Sequence, residues 1–148
     1  MNVPNADNCI FCKIVLKKVD AKTIDENENA IALLDAFPLT AGHTLVITKK
    51  HYAKLQDIEL EQMTDLLKLV HKILPSIEKG TDVQSTLIAI HNGKDAGQVI
   101  PHLHVHIVPR RAGDGGGAIH SKFDSSHRLA EDEMNKVHKS IKAELDRL

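Results

Sequence analysis

The chain lacks tryptophan and has only one tyrosine and three phenylalanines, whereas it contains ten histidines. No apolar run approaches the roughly 20 residues that are needed to cross a bilayer. The start of the chain, MNVPNADN, lacks the charged and then apolar pattern of a signal peptide. We therefore expect a cytoplasmic protein with no membrane partner, with the nucleus as a second location if the source is eukaryotic.

Neither sign of charge dominates the sequence. Lysine plus arginine number 19 and aspartate plus glutamate number 20, so the formal net charge is -1. A chain with this balance has no electrostatic footprint for nucleic acid or for an anionic membrane. We therefore expect no nucleic-acid partner.

Cysteine is scarce as well. Cys9 and Cys12 are the two thiols, and their spacing is Cys-x-x-Cys. In a reducing compartment this spacing is typical of a redox pair or of half a zinc site rather than of a structural disulfide. Two small buried thiols are a further interpretation. The spacing alone leaves these alternatives open.

The length of 148 residues suits one compact domain, 1–148, without disulfides. We find no internal repeat and no linker long enough to separate a second domain. The core is predicted over 9–110, followed by a flexible Gly-rich segment at about 111–127 and a C-terminal helix at about 130–147.

The apolar pattern predicts an α+β fold. The segment CIFCKIVLKK fits a short N-terminal helix, and a long amphipathic helix runs from Glu59 to Lys79, in which Pro75 is expected to break or bend the last turn. Short apolar segments predict a mostly antiparallel five-stranded sheet, covered on one face by the long helix. The five strand segments are KTIDEN, AIALLDA, HTLVITKK, QSTLIAIHN and HLHVHIVP.

Three histidines occupy alternate positions of the last predicted strand. Because side chains alternate in a strand, His102, His104 and His106 share one face, opposite the apolar residues between them. Lysine, threonine or glutamate would serve a solvated face equally well, and crowded imidazoles repel one another once protonated. The cluster therefore indicates a site of neutral rings, which can act as nucleophile, general base or metal ligand.

The loop before that strand, HNGKDAGQ, favours a phosphate ligand. Gly93 and Gly97 can bring backbone N–H groups close to an anion. An ordinary hairpin turn is the alternative.

The motif HLHVHIV resembles the histidine triad (HIT) signature. CIFCKIV, LLDAFPLTAGHTLVITKKH, NGKDAGQ and HLHVHIVPR resemble successive blocks of the Hit/Hint branch of that superfamily across residues 9–110. The resemblance implies the HIT-like fold and a nucleotide hydrolase or transferase that attacks the α-phosphorus and forms a covalent nucleotidyl-histidine. It makes His104 the nucleophile, and His106 contacts the phosphate and assists proton transfer. Backbone N–H groups near Gly97 to Val99 would hold the phosphoryl oxygens, so no catalytic metal is implied.

The same resemblance implies a purine nucleotide pocket. It assigns Asp35 to the ribose hydroxyls, although an aspartate there could be a simple turn former. His43 is expected near the phosphate. The remaining implied nucleotide-binding residues are Phe11, Ile14, Leu33, Leu34, Ala36, His91, Gly97, Gln98 and Val99.

A structural zinc site and a homodimer are implied as well. Cys9, Cys12, His51 and His102 match a tetrahedral site of bacterial-type relatives, and two thiolates with two imidazoles suit zinc. Members of the branch pair through the long helix and an edge strand.

Two residues depart from the family pattern. His91 stands where many relatives carry asparagine or glutamine, and Val99 stands where they carry serine or threonine. We expect nucleotide binding to survive with an altered leaving-group preference.

The resemblance favours a hydrolase of the adenosine 5'-monophosphoramidase type. Dinucleoside polyphosphate hydrolysis, suggested by PRRAGDG after the triad, is one alternative. A non-catalytic nucleotide-binding or scaffold protein is the other.

Overall fold

The computed structural model describes residues 6–123 and 129–148. The chain forms two compact units, Met1–Asp114 and Gly115–Leu148. A single domain over 1–148 therefore stays a prediction. Most of the polar start and the last part of the predicted flexible segment, 124–127, lie outside the described residues.

Five strands form one antiparallel sheet in the first unit, in agreement with the predicted α+β class. They are β1 (Thr23–Glu26), β2 (Ala30–Leu34), β3 (Thr44–Thr48), β4 (Ser85–Ala89) and β5 (His104–Arg110). The strand order is β1-β2-β3-β5-β4, so the first three strands form a meander. Strand β5 lies between β3 and β4 and is paired on both sides.

The described residues contain three α-helices. The first unit holds α1 (Ile10–Val15) and α2 (Leu60–Thr81), and the second unit holds α3 (Glu131–Leu145). Short 3-10 turns lie at Ala6–Asn8, Leu55–Asp57, Lys94–Ala96 and Ile119–Lys122. No helix of the described ranges is both long enough and apolar enough to span a membrane.

Pro75 does not break α2, which continues to Thr81, so of the predicted break or bend only the bend stays a prediction. Proline has no N–H and forfeits one helical hydrogen bond. Pro75 lies on the exposed side of α2, where water can satisfy the freed carbonyl, while Ile73 and Ile77 stay packed on the buried side.

The two faces of the sheet bury different apolar clusters. The larger cluster joins α2 to alternate residues of the central strands and includes Leu66, Leu69, Ala32, Val46, Leu103, Val105 and Ile107. The smaller cluster lies on the opposite face beneath α1 and consists of Phe11, Ile31, Leu33, Leu45 and Ile47. We call this second side of the sheet the histidine face, because the His104 and His106 rings lie there beside Phe11 and each other.

Strand β5 begins at His104, so the prediction that His102 lies within the strand is wrong. His102 follows Pro101 in a bend, and its N–H donates to the Ile100 carbonyl at 2.8 Å. The next residue returns to an extended path, because the Leu103 N–H donates to the Tyr52 carbonyl at 2.6 Å.

Gly42, in the turn before β3, provides a test of this packing. Its φ of +87° suits glycine, and a Cβ there would collide with the Thr81 methyl group at the end of α2. We expect Gly42→Ala to lower the free energy of unfolding by about 2 kcal/mol or more, measured by denaturant titration.

Gly80→Ala is the matched control. Gly80 lies within α2 and has open space around its Cβ position. Alanine is favoured over glycine in a helix by about 1 kcal/mol, so this variant should unfold at equal or higher denaturant concentration. Equal effects of the two substitutions would contradict the packing described.

Candidate functional site

The candidate site lies where β2, β3 and β5 run side by side on the histidine face. His106 pairs with Leu45 and His104 pairs with Ile47, so both rings stand on the row that continues the smaller cluster. His43 directly precedes β3, and Asp35 directly follows β2. The pairing of these inner strands therefore brings residues that are far apart in sequence together on one face of the sheet.

His104 is fixed in the orientation of a nucleophile. Its ring is 7% exposed, and Nδ1 lies 2.6 Å from the His102 carbonyl oxygen. A carbonyl can only accept, so Nδ1 carries the hydrogen and Nε2 keeps a free lone pair. Burial lowers the pKa of His104, the bond to the His102 carbonyl opposes this shift, and positive charge on His91 lowers the pKa further. The ring is therefore neutral near pH 7.

A chain of hydrogen bonds determines the tautomer of His106. The Leu39 N–H donates to His43 Nδ1 at 3.1 Å, so the His43 hydrogen lies on Nε2. That Nε2 lies 2.9 Å from His106 Nδ1 and 3.6 Å from the Asp35 carboxylate. His43 thus donates to His106, whose own hydrogen must lie on Nε2. Among the described residues, this buried Nε2 has no hydrogen-bond partner.

Both members of this ring pair are neutral. Burial lowers the pKa of His43. Burial, together with the charges of His104, His43 and His91, lowers the pKa of His106 to about 4. A neutral His106 with its hydrogen on Nε2 is a hydrogen-bond donor.

A cleft of about 310 Å³ opens beside these rings. Three of the predicted nucleotide-binding residues from the glycine loop, His91, Gly97 and Val99, line it together with Asp35. His104 and His106, two of the three histidines that are predicted to be catalytic, line it as well. Phe37 and Ile100 complete the lining. The cleft therefore combines apolar walls with a carboxylate, three imidazoles and a glycine.

The backbone of the glycine loop offers fewer donors than expected. The Gly97 N–H donates to the Lys94 carbonyl and the Gln98 N–H to the Gly93 carbonyl, because the chain turns through a 3-10 helix there. Of the three predicted donors from Gly97 to Val99, the one at Val99 is left without an internal partner among the described hydrogen bonds. That backbone N–H groups near Gly97 to Val99 hold a phosphoryl group stays a prediction, for which the Val99 N–H is the available donor.

Gln98 is engaged through its side chain in hydrogen bonds within the protein. Its side chain is buried, accepts from the Gly93 N–H at 2.8 Å and donates to the Ala53 carbonyl at 2.7 Å. It is predicted to bind nucleotide, but these bonds tie the loop to the chain after β3.

The predicted base-pocket residues are divided between the two faces of the sheet. Phe11, Ile14 and Leu33 pack in the cluster of the histidine face, where the Phe11 ring meets the His104 ring edge-on at 5.1 Å. Leu34 follows the alternation of Ala30 and Ala32 onto the α2 face, so it lies away from the histidines. Ala36 is exposed and outside the cleft lining.

A second group of side chains gathers under α1. Cys9 Sγ lies 3.3 Å from His102 Nδ1, and Cys12 Sγ lies 3.3 Å from His51 Nδ1 and 3.6 Å from His102 Nδ1. Metal–ligand bonds of 2.0 to 2.3 Å give a tetrahedron edges of about 3.3 to 3.8 Å. The three distances given above fall in this range, and the ligand atoms of all four side chains lie within 4.8 Å of one another, so the group could hold a metal ion.

The His102 ring is oriented for such a role. Its Nε2 lies 2.7 Å from the Thr48 carbonyl, so Nε2 donates and Nδ1 presents its lone pair to the thiols. Burial raises the pKa of the Cys12 thiol to about 11 in the metal-free protein, with the neighbouring Cys9 adding to the shift. A divalent cation reverses this preference, because it stabilises the thiolate. The residues present fit zinc.

Sequence reasoning missed several residues of the site. Phe37 and Ile100 line the cleft, but an exposed loop phenylalanine and an isoleucine before a proline carry no motif of their own. Thr48 and Leu39 act through backbone groups, which the side-chain sequence does not encode.

Comparison with known proteins bears on this site. A family model for the HIT domain matches residues 17–113. The chain belongs to the HIT domain family. This confirms the family suggested by the motifs, and HIT-domain proteins form a superfamily of nucleotide-binding hydrolases and transferases.

Three HIT-family relatives illustrate the match. The uncharacterized HIT-like protein MJ0866 of Methanocaldococcus jannaschii is 41% identical over 108 residues, covering 72% of this chain and 82% of that protein. Adenylylsulfatase HINT3 of Arabidopsis thaliana is 35% identical over 108 residues, covering 73% of this chain and 55% of that protein. The crystal structure of a zinc-bound histidine triad family protein from Mycobacterium smegmatis is 33% identical, with a TM-score of 0.69 over 97% of this chain and 99% of that chain.

The buried histidines of this HIT domain make its stability depend on pH. His102 and His106 have a folded pKa of about 4 against an ordinary 6.5, so the unfolded chain binds more protons between these values. Stability should be complete above about pH 6.5 and fall as the pH drops toward about 4, with a slope of at most about 1.4 kcal/mol per pH unit for each histidine. Denaturant unfolding of metal-free protein at several pH values measures this slope.

Two variants test whether the buried histidines cause the dependence of stability on pH. His106→Asn removes one buried imidazole and should flatten the acid dependence, whereas His71→Asn, on the exposed side of α2, should leave it unchanged. A stability that is constant from about pH 7.5 to 5 would contradict the assignment.

Proposed function

We propose that the chain hydrolyses purine nucleoside phosphoramidates at the α-phosphorus through a covalent nucleotidyl intermediate on His104. The observation that carries this proposal is the 2.6 Å bond between His104 Nδ1 and the His102 carbonyl, which leaves the Nε2 lone pair beside the cleft. A neutral imidazole with an oriented lone pair is an effective nucleophile toward phosphorus.

The reaction proceeds in two displacements. His104 Nε2 attacks the phosphorus, and the electron pair of the bond to the amine goes to the amine nitrogen, which takes a proton from a general acid as it leaves. Water then attacks the same phosphorus and gives up a proton to a general base. The electron pair of the bond between phosphorus and His104 returns to Nε2, which releases the nucleoside monophosphate. The His106 Nε2–H and the Val99 N–H are the donors placed to stabilise charge on the phosphoryl oxygens.

The nucleoside is held by few polar groups. One Asp35 oxygen accepts the Phe37 N–H at 2.8 Å, and the carboxylate lines the cleft with remaining lone pairs for the ribose hydroxyls. The apolar cluster with Phe11, Ile14 and Leu33 supports a flat base. The name of the plant relative, an adenylylsulfatase, supports an adenylyl group as the part transferred.

Hydrolysis of dinucleoside polyphosphates has less support. The PRRAGDG segment suggested it, but Arg110 is bonded to Asp114 at 2.7 Å and Arg111 donates to the Thr81 carbonyl at 2.9 Å. Neither arginine lines the cleft. Among the described residues, no arginine of the cleft lining would meet the phosphates beyond the α-phosphorus of such a substrate.

Zinc is part of the proposal as a structural ion. Cys9, Cys12, His51 and His102 would hold it, and the ion would keep the thiolates ionised and tie α1 to the chain around β3 and β5. The zinc-bound mycobacterial relative supports this assignment. No step of the reaction passes through the ion, and the proposal requires no catalytic metal.

A cytoplasmic homodimer completes the proposal. Free thiols at Cys9 and Cys12 suit a reducing compartment. The edge strand β4 exposes Leu87 and Ile88, and α2 exposes Leu67, so both predicted contact elements carry apolar side chains at the surface. Pairing of these surfaces would remove them from water.

The nucleophile can be identified directly. Wild-type protein mixed with adenosine 5'-phosphoramidate and quenched without acid should gain the mass of one adenylyl group, which peptide mapping should place on His104. His104→Ala should show no adduct and lose about 10⁴-fold or more in kcat. His71→Ala should behave as wild type. If wild type shows no turnover while it and His104→Ala both bind AMP, the chain is a nucleotide-binding module.

The zinc site can be measured independently. Protein purified without chelator should contain one zinc per chain by elemental analysis, and Cys12→Ser should reduce this to a small fraction because two of the close contacts involve its sulfur. His71→Ala should retain the metal. A wild-type content near zero would exclude the site.

A further inference from the structure

His91 differs from the other histidines of the cleft in its exposure. It follows β4, lines the same cavity as His104 and His106, and its ring centroid lies 5.1 Å from that of His106. A Cβ on Gly97 would lie 3.8 Å from His91 Nδ1, so the ring stands over the glycine turn. Its side chain is open to solvent. Across the described residues, no hydrogen bond or ion pair engages its nitrogens.

The proposed reaction needs a proton that the buried rings do not supply. An amine leaves phosphorus only when its nitrogen is protonated. The His104 Nδ1 hydrogen is committed to the His102 carbonyl. The resemblance assigns help in proton transfer to His106, but this ring is a neutral donor. Loss of its Nε2 hydrogen without a gain at Nδ1 would leave an imidazolate in a site that already disfavours charge.

We propose that His91 is the catalytic acid that protonates the leaving group and then the base that activates water. This inference rests on the proposed function and adds the residue that determines its leaving-group range. An amide side chain at this position could donate and accept hydrogen bonds but could not transfer a proton, whereas an imidazole can do both.

The protons balance over the two displacements. In the first, His104 Nε2 bonds to phosphorus, the electron pair of the P–X bond goes to the leaving atom X, and the His91 imidazolium gives its proton to X. In the second, neutral His91 takes a proton from the attacking water and regains its charge. The P–O bond forms, and the P–N electron pair returns to His104.

The charge on His91 also suits the other rings. Positive charge there lowers the pKa of both His104 and His106, which keeps the nucleophile and the phosphate donor neutral. The groups that face His91 are these two β5 rings and the Asp35 carboxylate across the cleft. Lys94 and Asp95 belong to the adjoining turn and carry opposite charges.

Leaving groups of different basicity test the assignment. We expect His91→Asn to lower kcat/KM for an adenosine 5'-(N-alkylphosphoramidate) by about 100-fold or more. For the p-nitrophenyl ester of AMP, whose leaving group departs as an anion, the loss in kcat/KM should be at least about 30-fold smaller. With the ester, the variant should release a burst of one p-nitrophenolate per site and then turn over slowly, because the water step has lost its base.

The pH profile and chemical rescue separate proton transfer from a structural role. The wild-type kcat/KM for the alkyl phosphoramidate should fall as pH rises through the titration of an acidic group, and this limb should be absent in His91→Asn. Added imidazole should restore part of the lost rate to His91→Ala. His71→Asn is the matched control and should retain both activities.

The contrary outcomes are distinct. Equal losses on the two substrates, or no loss on either, would overturn the role of His91 while leaving nucleotidyl transfer to His104 intact. A wild-type protein that forms no adduct and cleaves neither substrate would overturn the proposed function, and the inference with it.

Discussion

The hydrogen bond from His104 Nδ1 to the His102 carbonyl is the contact on which the rest of the site depends. It determines which nitrogen of the ring is free, and it requires that the carbonyl be held still. Three neighbouring bonds hold it: the His102 ring donates to Thr48, the His102 N–H turns back to Ile100, and the Leu103 N–H reaches Tyr52. The bend before β5 therefore has a function that a continuous strand would not provide.

Burial divides the histidines of the cleft into two kinds. His43, His104 and His106 are enclosed by the sheet and by one another, and each has a lowered pKa because the interior disfavours a charged ring. Their hydrogens are consequently placed by neighbouring donors and acceptors rather than by exchange with solvent. His91, at the open side, remains in contact with the solution that supplies protons. In the proposed reaction, the buried rings orient the attacking and hydrogen-bonding nitrogens, and the exposed His91 exchanges protons with the solution.

The sheet and the long helix could be predicted from the sequence because their apolar residues repeat with the period of each element. The start of β5 could not be predicted, because the alternation of polar and apolar residues continues through His102 and Leu103 although the backbone bends there. Only Pro101 indicates that the strand has not yet begun. At Pro75 the sequence suggested an interruption of the helix that the structure does not have, because the sequence does not show that this proline faces solvent. Residues of the glycine loop line the cleft, but the internal 3-10 bonds of this loop, which use the Gly97 and Gln98 N–H groups, depend on the folded backbone and could not be predicted.

His102 serves the two halves of the site through different atoms. Its imidazole faces the cysteines, while its main-chain oxygen orients the proposed nucleophile, His104. Replacement of the side chain would leave that oxygen in the chain but would remove the ring bond to Thr48 that helps to hold it still. One substitution at His102 would therefore reach both the cysteine cluster and the orientation of the His104 ring.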